Sequence, residues 1–250
     1  MKKLIKPLLL IFLFSLQGCS LIDKPKDEWD AKDYYERAAE AKESQNWSLA
    51  IQLYEELKAY YPYGEYAEQA YLDLAYVYYR FDEPESTKRE LEDFLRLYPK
   101  HKHIAYALYL RALAVDSINK SWTDKWLTDP ATRDMKSTQE AYNAYLILLN
   151  EFPNSRYSDK ARQRLMILNN RLARNELKVA QFYYKHHAYL AAANRAKAVL
   201  ENFPKAIVNV ESLALLKQSY EKLGMIENAR NAEKVYQLNA ADSDNMIQTP

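Results

Sequence analysis

The sequence predicts an all-α fold, an α-solenoid of about five helix-turn-helix repeats, and three observations carry that expectation. First, four prolines, Pro62, Pro99, Pro153 and Pro204, close segments that share one pattern. Twelve positions before them stand Ala50, Thr87, Ala141 and Ala192, and eight before stand Tyr54, Leu91, Tyr145 and Ala196. Five before stand Leu57, Phe94, Leu148 and Val199, and immediately before stand Tyr61, Tyr98, Phe152 and Phe203. Spacings of four, three and seven place these side chains on one helical face. Second, proline cannot continue a helix and restricts the residue before it, so every copy stops at the same point. Third, the chain has only 3 glycines, too few for a fold built on hairpins, phosphate loops or sharp strand turns. The 35 basic and 34 acidic residues nearly cancel, which disfavours a nucleic-acid-coating role.

The N-terminus reads as a targeting segment. Met1-Lys2-Lys3-Leu4-Ile5-Lys6 is basic, and the apolar run from Leu8 to Leu16 is too short to span a bilayer, the layout of a secretory signal. Leu16-Gln17-Gly18-Cys19 resembles the bacterial lipoprotein cleavage box, in which the cysteine is lipidated and becomes the first mature residue; Gln17 departs from its usual small residue. A plain signal with a coincidental cysteine is the competing reading. Residues 1–18 are therefore expected as a signal peptide and 19–32 as the lipidated cysteine with a flexible polar tether. Several acyl chains on Cys19 would make the anchor effectively permanent.

The repeats follow in order. Tyr34, Ala38, Ala41, Ala50, Tyr54, Leu57 and Pro62 match much of the tetratricopeptide template of about 34 residues, and Tyr71, Leu74, Ala75, Tyr78, Leu91, Phe94 and Pro99 repeat it. The third repeat starts at Tyr106 and is interrupted over 119–136 before a helix resumes at Ser137. The inserted Trp122 and Trp126 either anchor a partner or pack the loop on its own repeat. Repeats one to three thus occupy 33–153, and repeats four and five 154–240. Repeat four opens with an overlong helix, Ser158 to about His187, roughly 45 Å long. Its apolar stripe is Ala161, Leu165, Leu168, Leu172, Val179 and Phe182. Beside it run Lys160, Arg164, Arg171, Arg174, Lys178 and Lys185, either a solvated face or a docking surface for an acidic partner. The fifth repeat, with Leu213, Leu216, Tyr220, Gly224 and Ala229, lacks its proline, as a capping repeat can. Residues 241–250 read as a disordered tail.

Catalytic signatures are missing. His101, His103, His186 and His187 have no cysteine or carboxylate at ligand spacing, and no metalloprotease, hydrolase, Walker or Rossmann pattern occurs. The expectation is a non-enzymatic scaffold without metal or cofactor. Tyrosine is the informative residue, with 22 copies. Counting along the template, the concave positions of repeats one to three are Tyr35, Tyr63, Tyr66, Leu72, Tyr76, Tyr79, Arg80, Tyr106 and Tyr109. Tyr34, Tyr54, Tyr71, Tyr78 and Tyr145 fall between helices instead. Tyrosine offers a rigid apolar face with a hydrogen-bonding tip, suited to an extended aromatic peptide; packing alone is the competing account.

Several segments carry a resemblance: Tyr61-Pro62-Tyr63-Gly64-Glu65-Tyr66, Leu72-Asp73-Leu74-Ala75-Tyr76-Val77-Tyr78-Tyr79, Phe152-Pro153-Asn154-Ser155-Arg156-Tyr157, Asn170-Arg171-Leu172-Ala173, Val179-Ala180-Gln181-Phe182-Tyr183-Tyr184 and Asn194-Arg195. With the lipoprotein box and the repeats, the chain resembles the BamD family, tetratricopeptide lipoproteins of the outer-membrane β-barrel assembly machinery, over nearly its whole length. The 119–136 insertion departs from it. The resemblance implies a lipoprotein tethered through Cys19 at the periplasmic face of the outer membrane. It implies binding to the POTRA domains of BamA through the C-terminal repeats, with Arg195 at the family position for that contact. Arg171, Arg174 and Lys178 are expected near the same surface. It also implies association with other lipoproteins of the complex, and capture of the aromatic signal of unfolded outer-membrane proteins in the N-terminal groove. A secretin pilotin or an adaptor of cell-wall synthesis is the rival scaffold.

Overall fold

The aromatic-proline stop is one hydrogen bond made four times. The N–H groups of Tyr61, Tyr98, Phe152 and Phe203 donate to the carbonyls of Leu57, Phe94, Leu148 and Val199 at 2.8, 2.8, 2.8 and 2.9 Å. At Tyr61, Tyr98 and Phe203 φ lies between −129° and −127°. That is the extended φ a following proline favours, so each helix ends where its sequence says it must.

The computed structural model describes residues 24–118 and 135–247. Cys19 and the tryptophans of the insertion lie outside them. Among the described residues the regular elements are helical: α1 (Ala31–Glu43), α2 (Trp47–Tyr60), α3 (Glu65–Arg80), α4 (Pro84–Leu97), α5 (Ile104–Ser117), α6 (Met135–Glu151), α7 (Ser158–Lys185), α8 (Tyr189–Asn202), α9 (Asn209–Lys222) and α10 (Ile226–Ile247), with a 3-10 turn at Lys26–Glu28. The all-α repeat architecture expected from the sequence is present.

The turns inside the repeats share a second device. At the ends of α1, α3, α7 and α9 stand Gln45, Asp82, His187 and Gly224, all with φ between 60° and 69°. In each case the next N–H reaches back to the carbonyl five residues earlier: Asn46 to Ala41, Glu83 to Tyr78, Ala188 to Tyr183 and Met225 to Tyr220, at 2.8–3.0 Å. This left-handed cap satisfies carbonyls that the helix end would otherwise strand. Only Gly224 occupies the left-handed conformation without cost to a side chain. A Cβ added there would meet nothing within 4 Å, so the penalty of Gly224→Ala is purely conformational. We expect that substitution to lower unfolding stability by about 1 kcal/mol in urea titrations, with an unchanged slope.

By its packing the chain divides into two units, 1–70 and 71–250. In the first, α1 packs on α2, and Ala50, Tyr54 and Leu57 from the repeat columns are wholly buried with Ala38. Asp30 starts α1 with a capping box, its side chain accepting from the N–H groups of Lys32 and Asp33 while that of Asp33 accepts from the Asp30 N–H. The segment before it, expected as part of a flexible tether, is fastened. Lys24 pairs with Asp33 at 2.7 Å and Lys26 with Glu56 at 2.9 Å. The Trp29 indole N–H donates to the Lys24 carbonyl at 2.7 Å, and the Tyr61 hydroxyl donates to the Trp29 carbonyl at 2.7 Å. Burial pushes the Glu56 carboxyl up, but hydrogen bonds from Gln52 and Lys26 outweigh it and hold the group below its ordinary value. Charges that look solvated in sequence are paired across the hairpin, so the chain is held to the first unit from Lys24 onward.

In the second unit successive helices pack as neighbours, from α4 on α5 through to α9 on α10. The remaining column residues Thr87, Leu91, Phe94, Ala141, Tyr145, Leu148, Ala192, Ala196 and Val199 are all at most 1% exposed. Among the described residues, one core runs from Leu72 to Leu168 and another from Ala173 to Ala232, and α7 contributes to both. That explains its length: the helix begins in one core and ends in the next. The buried side of α7 is Ala161, Leu168, Leu172, Ala173, Leu177 and Ala180. Phe182, placed on the stripe by sequence, is 58% exposed and packs instead on the His186 ring at 4.3 Å. The boundary expected at 241 falls within α10, which continues to Ile247.

Candidate functional site

The tyrosines divide between the two units. In the first, Tyr35 on α1 lies edge-on to Tyr54 at 6.0 Å and tilted to Tyr66 at 5.5 Å. Tyr54 is buried beneath Tyr35, and Tyr66, which meets Tyr35 alone of the two, is 37% exposed. Tyr63 sits in the turn before α3, beside Gly64 at φ 100°, and its ring is almost wholly in solvent. A cavity of about 360 Å³ opens on this hairpin, lined by Trp29, Arg37, Ala41, Gln52 and Leu53 among others, with the Arg37 guanidinium 4.3 Å over the Trp29 ring.

In the second unit, Tyr76 and Tyr79 on α3, and Tyr106 and Tyr109 on α5, are spaced three apart and so share a face on each helix. All four are half-buried against the first core. Tyr157, at the start of α7, draws the α5 pair together. It stacks on Tyr109 with ring centres 5.0 Å apart and planes at 18°, and lies 5.9 Å from Tyr106. Arg80 donates to the Tyr76 hydroxyl at 2.8 Å and covers its ring, and the Arg156 guanidinium lies 5.1 Å from the Tyr157 ring. Burial, then the nearby Asp73 carboxylate, raises the Tyr106 phenol far above its usual range; burial, then Tyr79 and Tyr157, raises that of Tyr109. Both hydroxyls stay protonated at neutral pH and can donate. The result is a ledge of aromatic faces with hydroxyl tips and flanking guanidinium groups.

One expected lining residue is not on this surface. Leu72 is 2% exposed and belongs to the first core. Tyr157 was not among the expected lining residues, although its signal was present: it stands four residues after Pro153, as Tyr66 stands four after Pro62.

The basic residues of the later repeats also divide. Arg164 turns inward, its Nη2 donating to Asp116 Oδ1 at 2.9 Å and its Nε to Oδ2 of the same carboxylate. The hydrogen bonds to Asp116 raise the guanidinium pKa further, although burial opposes them, so Arg164 is fixed as a cation between α5 and α7. Arg195 on α8 pairs with Glu176 on α7 at 3.0 Å while staying half exposed. Arg174 is exposed, and Arg171 and Lys178 are partly buried with interactions of their own. Among the described residues no three His, Cys, Asp or Glu side chains stand together as metal ligands. No helix there is long and apolar enough to cross a membrane.

A family model described as YfiO, outer membrane lipoprotein, matches residues 27–235. The chain belongs to this family. Its relatives carry the BamD name. The outer membrane protein assembly factor BamD of Neisseria meningitidis serogroup A is 38% identical over 213 residues, covering 85% of this chain and 80% of that protein. BamD of Xylella fastidiosa strain 9a5c is 34% identical, covering 94% and 82% respectively. BamD of Vibrio cholerae is 32% identical, covering 92% and 96%. The matched span starts within the fastened N-terminal segment and ends in α10, so BamD kinship extends across both tyrosine clusters and the Arg195–Glu176 pair.

Proposed function

We propose that this chain is a non-catalytic scaffold of outer-membrane protein assembly, anchored through a lipidated Cys19 at the periplasmic face of the outer membrane. Its later repeats dock the POTRA domains of a BamA-type barrel protein through Arg195, with Arg171, Arg174 and Lys178 around it. Other lipoproteins of the complex join it there. The tyrosines of repeats one to three take up aromatic segments of unfolded β-barrel proteins. Kinship with assembly factors supports the setting. The single observation that carries the peptide-binding role is the ledge of Tyr76, Tyr79, Tyr106, Tyr109 and Tyr157, half-buried aromatic surface with hydroxyl tips. Side chains needed only for packing would be buried like Tyr54 and Tyr145.

The docking half has a direct test. A tagged full-length chain, solubilised from envelopes in detergent, is expected to bring down a POTRA-bearing barrel protein. Arg195→Glu should abolish that recovery, because the new carboxylate faces both the partner and Glu176. Glu176→Gln, which releases Arg195 from its intramolecular pair, should retain it. Recovery of a secretin or a peptidoglycan synthase in place of the barrel protein would overturn the assignment.

A further inference from the structure

The two ends of the helical array are finished differently. In the second unit each repeat opens with a helix that packs on the closing helix of the repeat before it: α5 on α4, α7 on α6 and α9 on α8. Helix α1 has no such predecessor among the described residues. Counting from Ala50 and Thr87, which share a column, Asp33, Arg37, Glu40 and Ser44 of the first repeat correspond to Ala70, Leu74, Val77 and Phe81 of the second. The left-handed residues Gln45 and Asp82 fall into register by the same count. Ala70, Leu74 and Val77 are wholly buried. The first repeat thus keeps the helix-receiving face of its neighbours but carries polar residues along it.

Over that face runs Lys24 to Trp29. The Trp29 ring lies edge-on to the buried Tyr34 at 5.1 Å, and the Arg37 guanidinium sits over it. Lys24 on Asp33 holds the segment to α1, while Lys26 on Glu56 and the Tyr61 hydroxyl on the Trp29 carbonyl hold it to the end of α2. The face is not filled: the cavity of about 360 Å³ beside Trp29 is lined by Ala41, Leu53 and Leu49, the last 40% exposed. The other end of the array is bare. Helix α10, the last of the described helices, exposes Ile226, Val235 and Leu238 by 60, 45 and 70%. Internal joints of the array set a closing helix on an opening one, so the face of α10 and the covered face of α1 are the two halves of one more such joint.

We propose that the Lys24–Trp29 segment is a plug that keeps the chain single: it occupies the place of a preceding helix, and once it is released the outer face of the first hairpin receives α10 of a second copy. A joint of that kind is heterologous and does not close, so copies would add end to end. The two ion pairs of the plug are partly exposed and each contributes little, so reversing both lysines loosens the segment without altering either helix.

The test uses two differently tagged copies of the full-length chain, co-expressed and solubilised from envelopes in detergent. One copy carries Leu49→Cys and the other Leu238→Cys, and mild oxidation converts contact between them into a disulfide; copies with neither substitution control for Cys19. With the plug intact, cross-linking and mutual capture are expected at the control level. Lys24→Glu/Lys26→Glu in both copies should raise the cross-link about tenfold, the shift that two such pairs produce. Adding Val235→Glu in that background should return it to the control level, which association of unfolded hairpins would not do. A cross-link that the charge reversal leaves unchanged would overturn the plug. Mutual capture that rises without the disulfide, or that survives Val235→Glu, would overturn α10 of a second copy as the occupant.

Discussion

Replacing Phe94 with alanine should cost about 3–5 kcal/mol of stability, the largest loss expected from a single side chain outside the ion-pair network. The ring is wholly buried, lies 5.6 Å from Tyr98 and 5.1 Å from His101, and sits in the first core of the second unit. Its removal leaves a cavity bounded by helices that their own caps hold in place, so collapse into the space is limited. Solenoid stability is a sum of neighbouring contacts, so the loss should appear as earlier melting of a part rather than a uniform shift. Calorimetry that resolves two transitions, with only the lower one moved by Phe94→Ala, is the expected outcome. A single transition displaced by less than the equivalent of about 1 kcal/mol would mean the site relaxes far more than a packed core should. Phe94→Leu, which keeps most of the volume, should lose much less.

Asp116→Ala should be nearly as damaging, by about 2–3 kcal/mol, for a different reason. The carboxylate side chain is 7% exposed and takes two hydrogen bonds from Arg164, whose side chain is 26% exposed. Without it a half-buried guanidinium keeps its charge and loses its acceptors, beside the buried Tyr145 whose phenol Asp116 also perturbs. Partial solvent access to Arg164 sets the figure below that of a fully buried pair. The paired substitution Asp116→Leu/Arg164→Met should recover most of the loss, since neither ion then remains to be desolvated. Urea unfolding of the single and double variants checks this, and a double variant no more stable than Asp116→Ala would show that the pair acts through shape rather than charge.

The residues behind these two predictions differ in how far the sequence revealed them. Phe94 stood in a column with Leu57, Leu148 and Val199, and periodicity with a proline stop fixes such a column without reference to other helices. Asp116 and Arg164 are 48 residues apart, on helices separated by an insertion, and nothing in the local pattern of either points to the other. Arg164 therefore looked like one cation in a solvated stripe. Leu72 was misplaced for a related reason. Helix α3 buries Leu72, Leu74, Ala75, Val77 and Tyr78, so apolar residues occupy much of its circumference and the sequence cannot show which side remains open. Tyr76, Tyr79, Tyr106 and Tyr109, by contrast, are half-buried on the first core, leaving part of each ring accessible. Tyr157 was legible only through the offset from its proline, a cue belonging to the turn rather than to the helix.

The fastened N-terminal segment has a mechanical consequence. Counted from sequence, the leash between Cys19 and the first repeat ran to Lys32, thirteen residues with a reach of roughly 45 Å. With Lys24 held by Asp33 and by the Trp29 indole, five residues remain, a reach of at most about 18 Å. With Cys19 lipidated as proposed, the first hairpin would be confined to a thin layer next to the bilayer. Confinement to that layer raises its effective concentration toward any partner embedded in the same membrane, without adding a single contact between them.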